Sequence, residues 1–190
     1  MKKDIILCGV GGQGILSIAT VIGEAATEAG INLKQAEVHG MSQRGGDVQS
    51  NLRLSTEQIY SDLIPEGEAD IIISMEPMEA LRYLPYLKKD GWVVTSSEPF
   101  ENIPNYPDID KVLTDLKALP HVRLQPIGKM AREAKTPKSA NIILLGMAAD
   151  LIGLVTPEQL RTAISAVFAR KGKAVVDANV LAFNKGLKEE

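Results

Sequence analysis

The chain has 190 residues, 45% hydrophobic and 24% charged, with 21 basic against 24 acidic side chains and a net charge of −3. That length suits a single domain with one substantial core, residues 1–190. The charge leaves no basic excess for a nucleic acid, and no apolar run reaches the length of a membrane span.

Asp4 and an immediate glycine turn set the start MKKDIILCGV apart from a signal peptide, so a cytoplasmic location is expected. Ile5, Ile6 and Leu7, continued by Cys8 and Val10, predict a buried strand. Gly9, Gly11, Gly12, Gln13 and Gly14 predict a tight turn. Residues 12–29 then read as a helix with Ile15, Ile18, Ala19, Ile22 and Ala26 toward a core. Leu33 to His39 predicts a second strand and carries Glu37. The polar stretch Met41 to Asp47 follows, holding Ser42, Gln43, Arg44, Gly45 and Gly46.

Val48 to Ser55 alternates as a half-exposed strand does. Ile59-Tyr60 is expected to pair back on it, so that an antiparallel pair interrupts the βα alternation. Ala69 to Met75 predicts another buried strand. Pro77 suits a first helical position, with Met78, Leu81 and Leu84 inward and Pro85 ending the helix early. Asp90-Gly91 reads as a turn before a strand that begins at Trp92, a packing residue. Residues 98–110, with Pro99, Pro104 and Pro107, read as either a surface connection or a lid.

Three further elements follow: a helix over 109–119, a strand over 122–127 and a short helix over 129–135. Residues 141–155 are apolar nearly throughout. They predict a helix buried on most sides, either in this chain's core or against a neighbouring chain. Thr156-Pro157 opens another helix with a cap and an N1 proline, and a last helix ends at Lys185-Gly186. The expected fold is α/β: three layers, doubly wound, with a mostly parallel sheet and an antiparallel insertion after the second strand.

Gly9-x-Gly11-x-x-Gly14 satisfies a dinucleotide fingerprint between a strand and a helix, and Glu37 stands where an acidic residue would hold a ribose hydroxyl. The same glycines also serve a sharp turn with close strand–helix packing and no ligand. Arg44 is a planar, permanently charged donor suited to a carboxylate or a phosphate. Both glycine loops follow strands, so both are expected at the carboxyl end of the sheet. The candidate binding residues are therefore Gly9, Gly11, Gly12, Gln13 and Gly14, with Ser42, Gln43, Arg44, Gly45 and Gly46.

No catalytic residue is assigned. There is no identifiable acid/base carboxylate pair, no Gly-x-Ser-x-Gly elbow and no phosphate loop ending in Gly-Lys-Ser/Thr. His39 and His121 lie in no metal-ligand spacing. The single cysteine, Cys8, excludes an iron–sulfur cluster held by this chain alone and reads as an apolar filler.

The chain resembles the gamma component of the 2-oxoacid:ferredoxin (or flavodoxin) oxidoreductases. The likeness is carried by GVGGQG at 9–14, HGMSQRGGDVQSNLRLS at 39–55 and MEPMEALRYLPYLKKDG at 75–91, with SANIILLG at 139–146 and AFNKG at 182–186. The MSQRGG form is most similar to the small subunit of the indolepyruvate enzymes. The resemblance implies oxidative decarboxylation of a 2-oxoacid to an acyl-CoA, with electrons passed to ferredoxin. It implies thiamine diphosphate, iron–sulfur clusters and coenzyme A in an assembled enzyme. The thiamine diphosphate signature is absent here, since Gly46-Asp47-Val48 does not complete it. The cofactors would then sit on a large catalytic partner subunit, and this chain would bind none alone, reaching ferredoxin through the complex. In isolation such a chain is expected to cover its exposed partner surface as a homodimer. Two other readings stay open: a stand-alone NAD-dependent oxidoreductase and a non-enzymatic scaffold.

Overall fold

A computed structural model describes residues 1–39, 45–101 and 103–188, with only the backbone of His39. Its strands are β1 (Lys2–Val10), β2 (Asn32–His39), β3 (Asp47–Ser55), β4 (Ala69–Ser74), β5 (Leu87–Ser96) and β6 (Val122–Gln125). Its helices are α1 (Ile15–Glu28), α2 (Pro77–Arg82), α3 (Ile109–Lys117), α4 (Ile127–Glu133), α5 (Ala140–Ile152), α6 (Pro157–Phe168) and α7 (Lys173–Leu187). The strands form one sheet in the order β2-β3-β1-β4-β5-β6. Only β3 runs against its neighbours, pairing antiparallel with both β1 and β2.

Successive side chains of a strand point to opposite faces, and here both faces are apolar. Ile5 and Leu7 of β1, with Ile71 and Ile73 of β4, pack in the cluster that also holds α1, α5, α6 and α7. Ile6, Cys8, Ile72 and Val93 pack in the opposite cluster, which includes α2 and α3. The result is the expected three-layer α/β fold. Among the described residues no helix is long and apolar enough to cross a membrane.

Three expectations need correction. The partners of β3 are β2 and β1. Residues 58–60 form no strand, and Tyr60 is among the most exposed side chains. Asp90-Gly91 does not turn the chain; it lies inside β5, where two steps along β4 match five along β5. The space beside it is tight: a β-carbon on Gly91 would stand 2.6 Å from Leu87 Cδ1 and 3.1 Å from the Ala69 carbonyl oxygen. Leu81 and Leu84 pack on the core as expected, though only partly buried, but the buried positions of α2 are Pro77, Glu79 and Ala80, and Met78 is half-buried.

The apolar stretch 141–155 lies within this chain's own core. Ile142, Ile143, Leu144, Leu145 and Ile152 are fully buried, each contributing roughly 1.5–3 kcal/mol. It gives α5 no free apolar face for another chain. α5 and α7 meet so closely that a β-carbon on Gly146 would stand 2.3 Å from the Phe183 carbonyl oxygen. One on Gly186 would stand 2.0 Å from that of Ile143. At the amino end of the sheet, Asp4 is fully buried and receives Arg53 through Nε at 2.8 Å and Nη2 at 3.1 Å. Lys2 Nζ adds a contact at 3.0 Å. Arg53 Nη1 also donates to the carbonyls of Ser61 and Leu63, which pins the 56–64 loop.

Candidate functional site

The site is built where β1 ends. Gly9 and Val10 are its last two residues, and Gly11 to Gly14 turn the chain into α1. The turn is braced from inside: the Val10 N–H donates to Gln13 Oε1 at 2.8 Å, and the Gln13 N–H to the Val10 carbonyl at 3.1 Å. Gly14 caps α1 in the left-handed region at φ 83°, with no side-chain cap. Its carbonyl accepts from Asn141 Nδ2 at 3.0 Å, and a β-carbon on Gly14 would stand 2.8 Å from that nitrogen. Glycine is needed here both for backbone geometry and for space. The uncapped first turn of α1 leaves N–H groups facing the carboxyl edge.

Beside this turn lies a cleft of about 560 Å³, whose walls include Gln13, Ser17, Lys135, Lys138, Asn141 and Lys171. Lys135 takes φ 57°, alone among the described non-glycine residues in having a positive φ. It follows α4, where Thr136 N–H donates to the Ala131 carbonyl and Lys135 N–H to that of Arg132. That is the left-handed end of a Schellman turn, a position usually held by glycine. Three lysines thus line a cleft at an open helix start.

The second glycine loop comes back to the first. Gly11 N–H donates to the Gly46 carbonyl at 2.8 Å, and Gly45 N–H to that of Gly11 at 3.4 Å. Antiparallel β3 makes this possible, because its first residue, Asp47, pairs with Val10 at the end of β1. Of the predicted site residues, Gly9, Gly11, Gly12, Gln13, Gly14, Gly45 and Gly46 therefore gather at one place. Ser42, Gln43 and Arg44 lie outside the described residues.

Glu37 does not belong to this place. β3 stands between β2 and β1, so two strand spacings, roughly 9–10 Å, separate β2 from the glycine-turn strand. Glu37 Oε1 accepts from Gln35 Nε2 at 2.8 Å. A dinucleotide fold has its second strand beside its first, and this sheet does not.

Behind the second loop sits a polar cluster that sequence reasoning missed. The Tyr83 hydroxyl donates to Asp47 Oδ2 at 2.7 Å. Glu79, buried, accepts from Arg82 Nε at 2.7 Å and Nη2 at 3.2 Å. Burial raises the Glu79 carboxyl above its ordinary value; Arg82 opposes this and nearby Asp47 adds to it. Burial first, then the bond to Asp47, holds the Tyr83 hydroxyl protonated. Cys8 is fully buried and its thiol is pushed far up by burial, so it packs and does not attack.

A pH prediction follows from Glu79. A carboxyl raised in the folded state stabilises fully below its unfolded value near 4.5, and that contribution is lost as pH rises through the raised native value. Thermal unfolding followed from pH 4 to 8 should show Glu79→Gln gaining on the wild type as pH increases. Parallel curves would show that Glu79 takes up no extra proton on folding.

Glu98, Phe100 and Tyr106, from the proline-rich segment, are fastened near the same edge. The buried Glu76 carboxylate accepts from the N–H groups of Glu79, at 2.9 Å, and Phe100, at 3.3 Å, and from the Tyr106 hydroxyl. Glu98 accepts from the N–H groups of Gly128 and Lys129 and from Arg132. Among the described residues there is no group of three or more His, Cys, Asp or Glu able to hold a metal ion.

Residues 4–189 match the model of the pyruvate ferredoxin/flavodoxin oxidoreductase family. The chain belongs to this family. It is 37% identical to the indolepyruvate oxidoreductase subunit IorB of Thermococcus kodakarensis, over 99% of this chain and 96% of that protein. A keto/oxoacid ferredoxin oxidoreductase gamma subunit from Geobacter sulfurreducens superimposes with a TM-score of 0.72 at 25% identity, covering 98% of this chain and 97% of that one. The 2-oxoglutarate:ferredoxin oxidoreductase of Magnetococcus marinus, solved with 2-oxoglutarate, coenzyme A and succinyl-CoA bound, superimposes with a TM-score of 0.76 at 24% identity. That match covers 98% of this chain but only 30% of the longer one, so the same fold occurs there within a larger polypeptide.

Proposed function

We propose that this chain is the small, cofactor-free subunit of a 2-oxoacid:ferredoxin oxidoreductase, with an indolepyruvate-type 2-oxoacid as substrate. In this reading a large partner subunit holds thiamine diphosphate and the iron–sulfur clusters and passes electrons to ferredoxin. The single buried cysteine fits a reducing cytoplasm. The observation that carries the reading is the meeting of the two glycine loops at the carboxyl edge, in a chain similar along its whole length to oxidoreductase subunits.

Four exposed apolar side chains support a partner at that edge: Leu16, Val38, Phe100 and Ile103. Coenzyme A, when bound, supplies the thiol that accepts the acyl group. Lys135, Lys138 and Lys171, with the Gly12–Gly14 backbone, would meet its phosphates, and Arg44 would reach a carboxylate or phosphate at the partner's site. Independent dinucleotide binding is the weaker reading, because β3 displaces Glu37 from the glycine turn.

The test is Arg44→Ala in the assembled enzyme. Turnover should fall by about 10–100-fold, a scale typical of losing a charged contact to a reacting substrate, while the melting point of the isolated chain stays within a degree or so. Proportionate loss of both would remove Arg44 from the functional site.

A further inference from the structure

We propose that Tyr83 is a positioning residue whose hydroxyl, through Asp47, fixes the stem of the second glycine loop against the first. The inference rests on the reading that this loop works at the partner's site. Tyr83 belongs to neither loop. It caps α2 at its carboxyl end, and its ring is buried beside Tyr86, at 6.1 Å between centroids. Its hydroxyl leaves the apolar cluster of Ile6, Cys8 and Ile72 to reach Asp47, the first residue of β3.

Three consecutive stem residues are thereby tied to three different groups. Gly45 donates to the Gly11 carbonyl, Gly46 accepts from the Gly11 N–H, and Asp47 accepts from Tyr83. The first two ties are backbone bonds between glycines, which have no side chains to steady them. The third is anchored in packed structure. α2 starts at Glu76, whose side chain accepts from Glu79 N–H, and at Pro77, so the helix that presents Tyr83 is fixed at its other end. Glu79 takes Arg82 and also faces Asp47, so the Tyr83 hydroxyl is the neutral donor on a carboxylate that a second acid crowds. A buried phenol without an acceptor is costly, which keeps the pair together.

The structure thus assigns α2 a task toward the loop beyond packing on the sheet. It sets where Gly45, Gly46 and Asp47 stand against Gly11. Removing the hydroxyl leaves the ring, the helix and the apolar cluster in place, so Tyr83→Phe isolates the tie.

Two measurements test this. In the isolated full chain, Tyr83→Phe and Asp47→Ala should each speed amide hydrogen exchange at Gly11 and Gly45 by about tenfold, the loss expected from one hydrogen bond, with Ile6 and Ile72 unchanged. In the assembled enzyme, Tyr83→Phe should lower turnover in the same sense as Arg44→Ala but by less than its roughly 10–100-fold, and add nothing in the Arg44→Ala background. Unchanged exchange at Gly11 and Gly45 overturns the tie whatever Arg44 does. Additive kinetic effects overturn the route through the loop. Faster exchange with an Arg44→Ala enzyme of normal kinetics would leave the tie standing and sink the functional reading of the loop.

Discussion

Gly146→Val should destabilise the chain by about 3 kcal/mol or more, lowering its melting point by roughly 6–12 °C. Any side chain at 146 begins with a β-carbon 2.3 Å from a backbone oxygen of α7, and backbone cannot swing aside as a side-chain tip can. α5 and α7 would have to separate, and both carry the largest apolar cluster: Leu144 and Leu145 on one helix, Ala182 and Phe183 on the other. Interiors packed this densely transmit the displacement. Gly186→Ala meets the Ile143 carbonyl from the opposite side. Once one substitution has parted the helices the second costs less, so the double variant should lose less than the sum. Thermal and urea unfolding of the three variants check this. Full additivity would show that the two glycines do not share one contact.

Arg53→Ala should cost about 3–5 kcal/mol, the range for removing one member of a buried ion pair. Asp4 has no exposed surface, and Arg53 supplies its two-pronged partner. Lys2 remains at 3.0 Å, but its side chain is about half exposed and offers a single contact. The substitution also frees the 61–63 segment from Arg53 Nη1. Replacing both partners, Asp4→Leu with Arg53→Met, should recover most of the loss, because two apolar groups leave no orphaned charge. If the double variant is no more stable than Arg53→Ala, the loop contacts carry the effect and the ion pair does not.

Much of this fold is legible in the residues. The turn after Val10, the N1 prolines Pro77 and Pro157 and the Thr156 cap each have a local cause, and each appears in place. The alternation of Val48 to Ser55 marks a strand, but alternation says nothing about neighbours. That β3 enters between β1 and β2 depends on which edges are free when it returns. The family likeness gathers the two glycine loops by motif, whereas their contact, Gly11 to Gly46, depends on that insertion. Asn141 hides for another reason: one amide opening a very apolar helix reads as helix, and only its reach to Gly14 gives it a role. Glu79 and Tyr83 sit in a segment where Met78 and Leu81 carry the apolar signal. A buried carboxylate is invisible to periodicity until its partner, Arg82, is seen beside it.

The Asn141–Gly14 bond also joins early and late parts of the synthesis. During synthesis the first strand and its glycine turn emerge first, with the fingerprint already complete. Yet the amide that accepts no substitute for a bare α-carbon at position 14 belongs to a residue made 127 positions later. Until then the nascent amino-terminal half carries the motif without this bond. The Gly14 carbonyl can receive that amide only once Asn141 has been made.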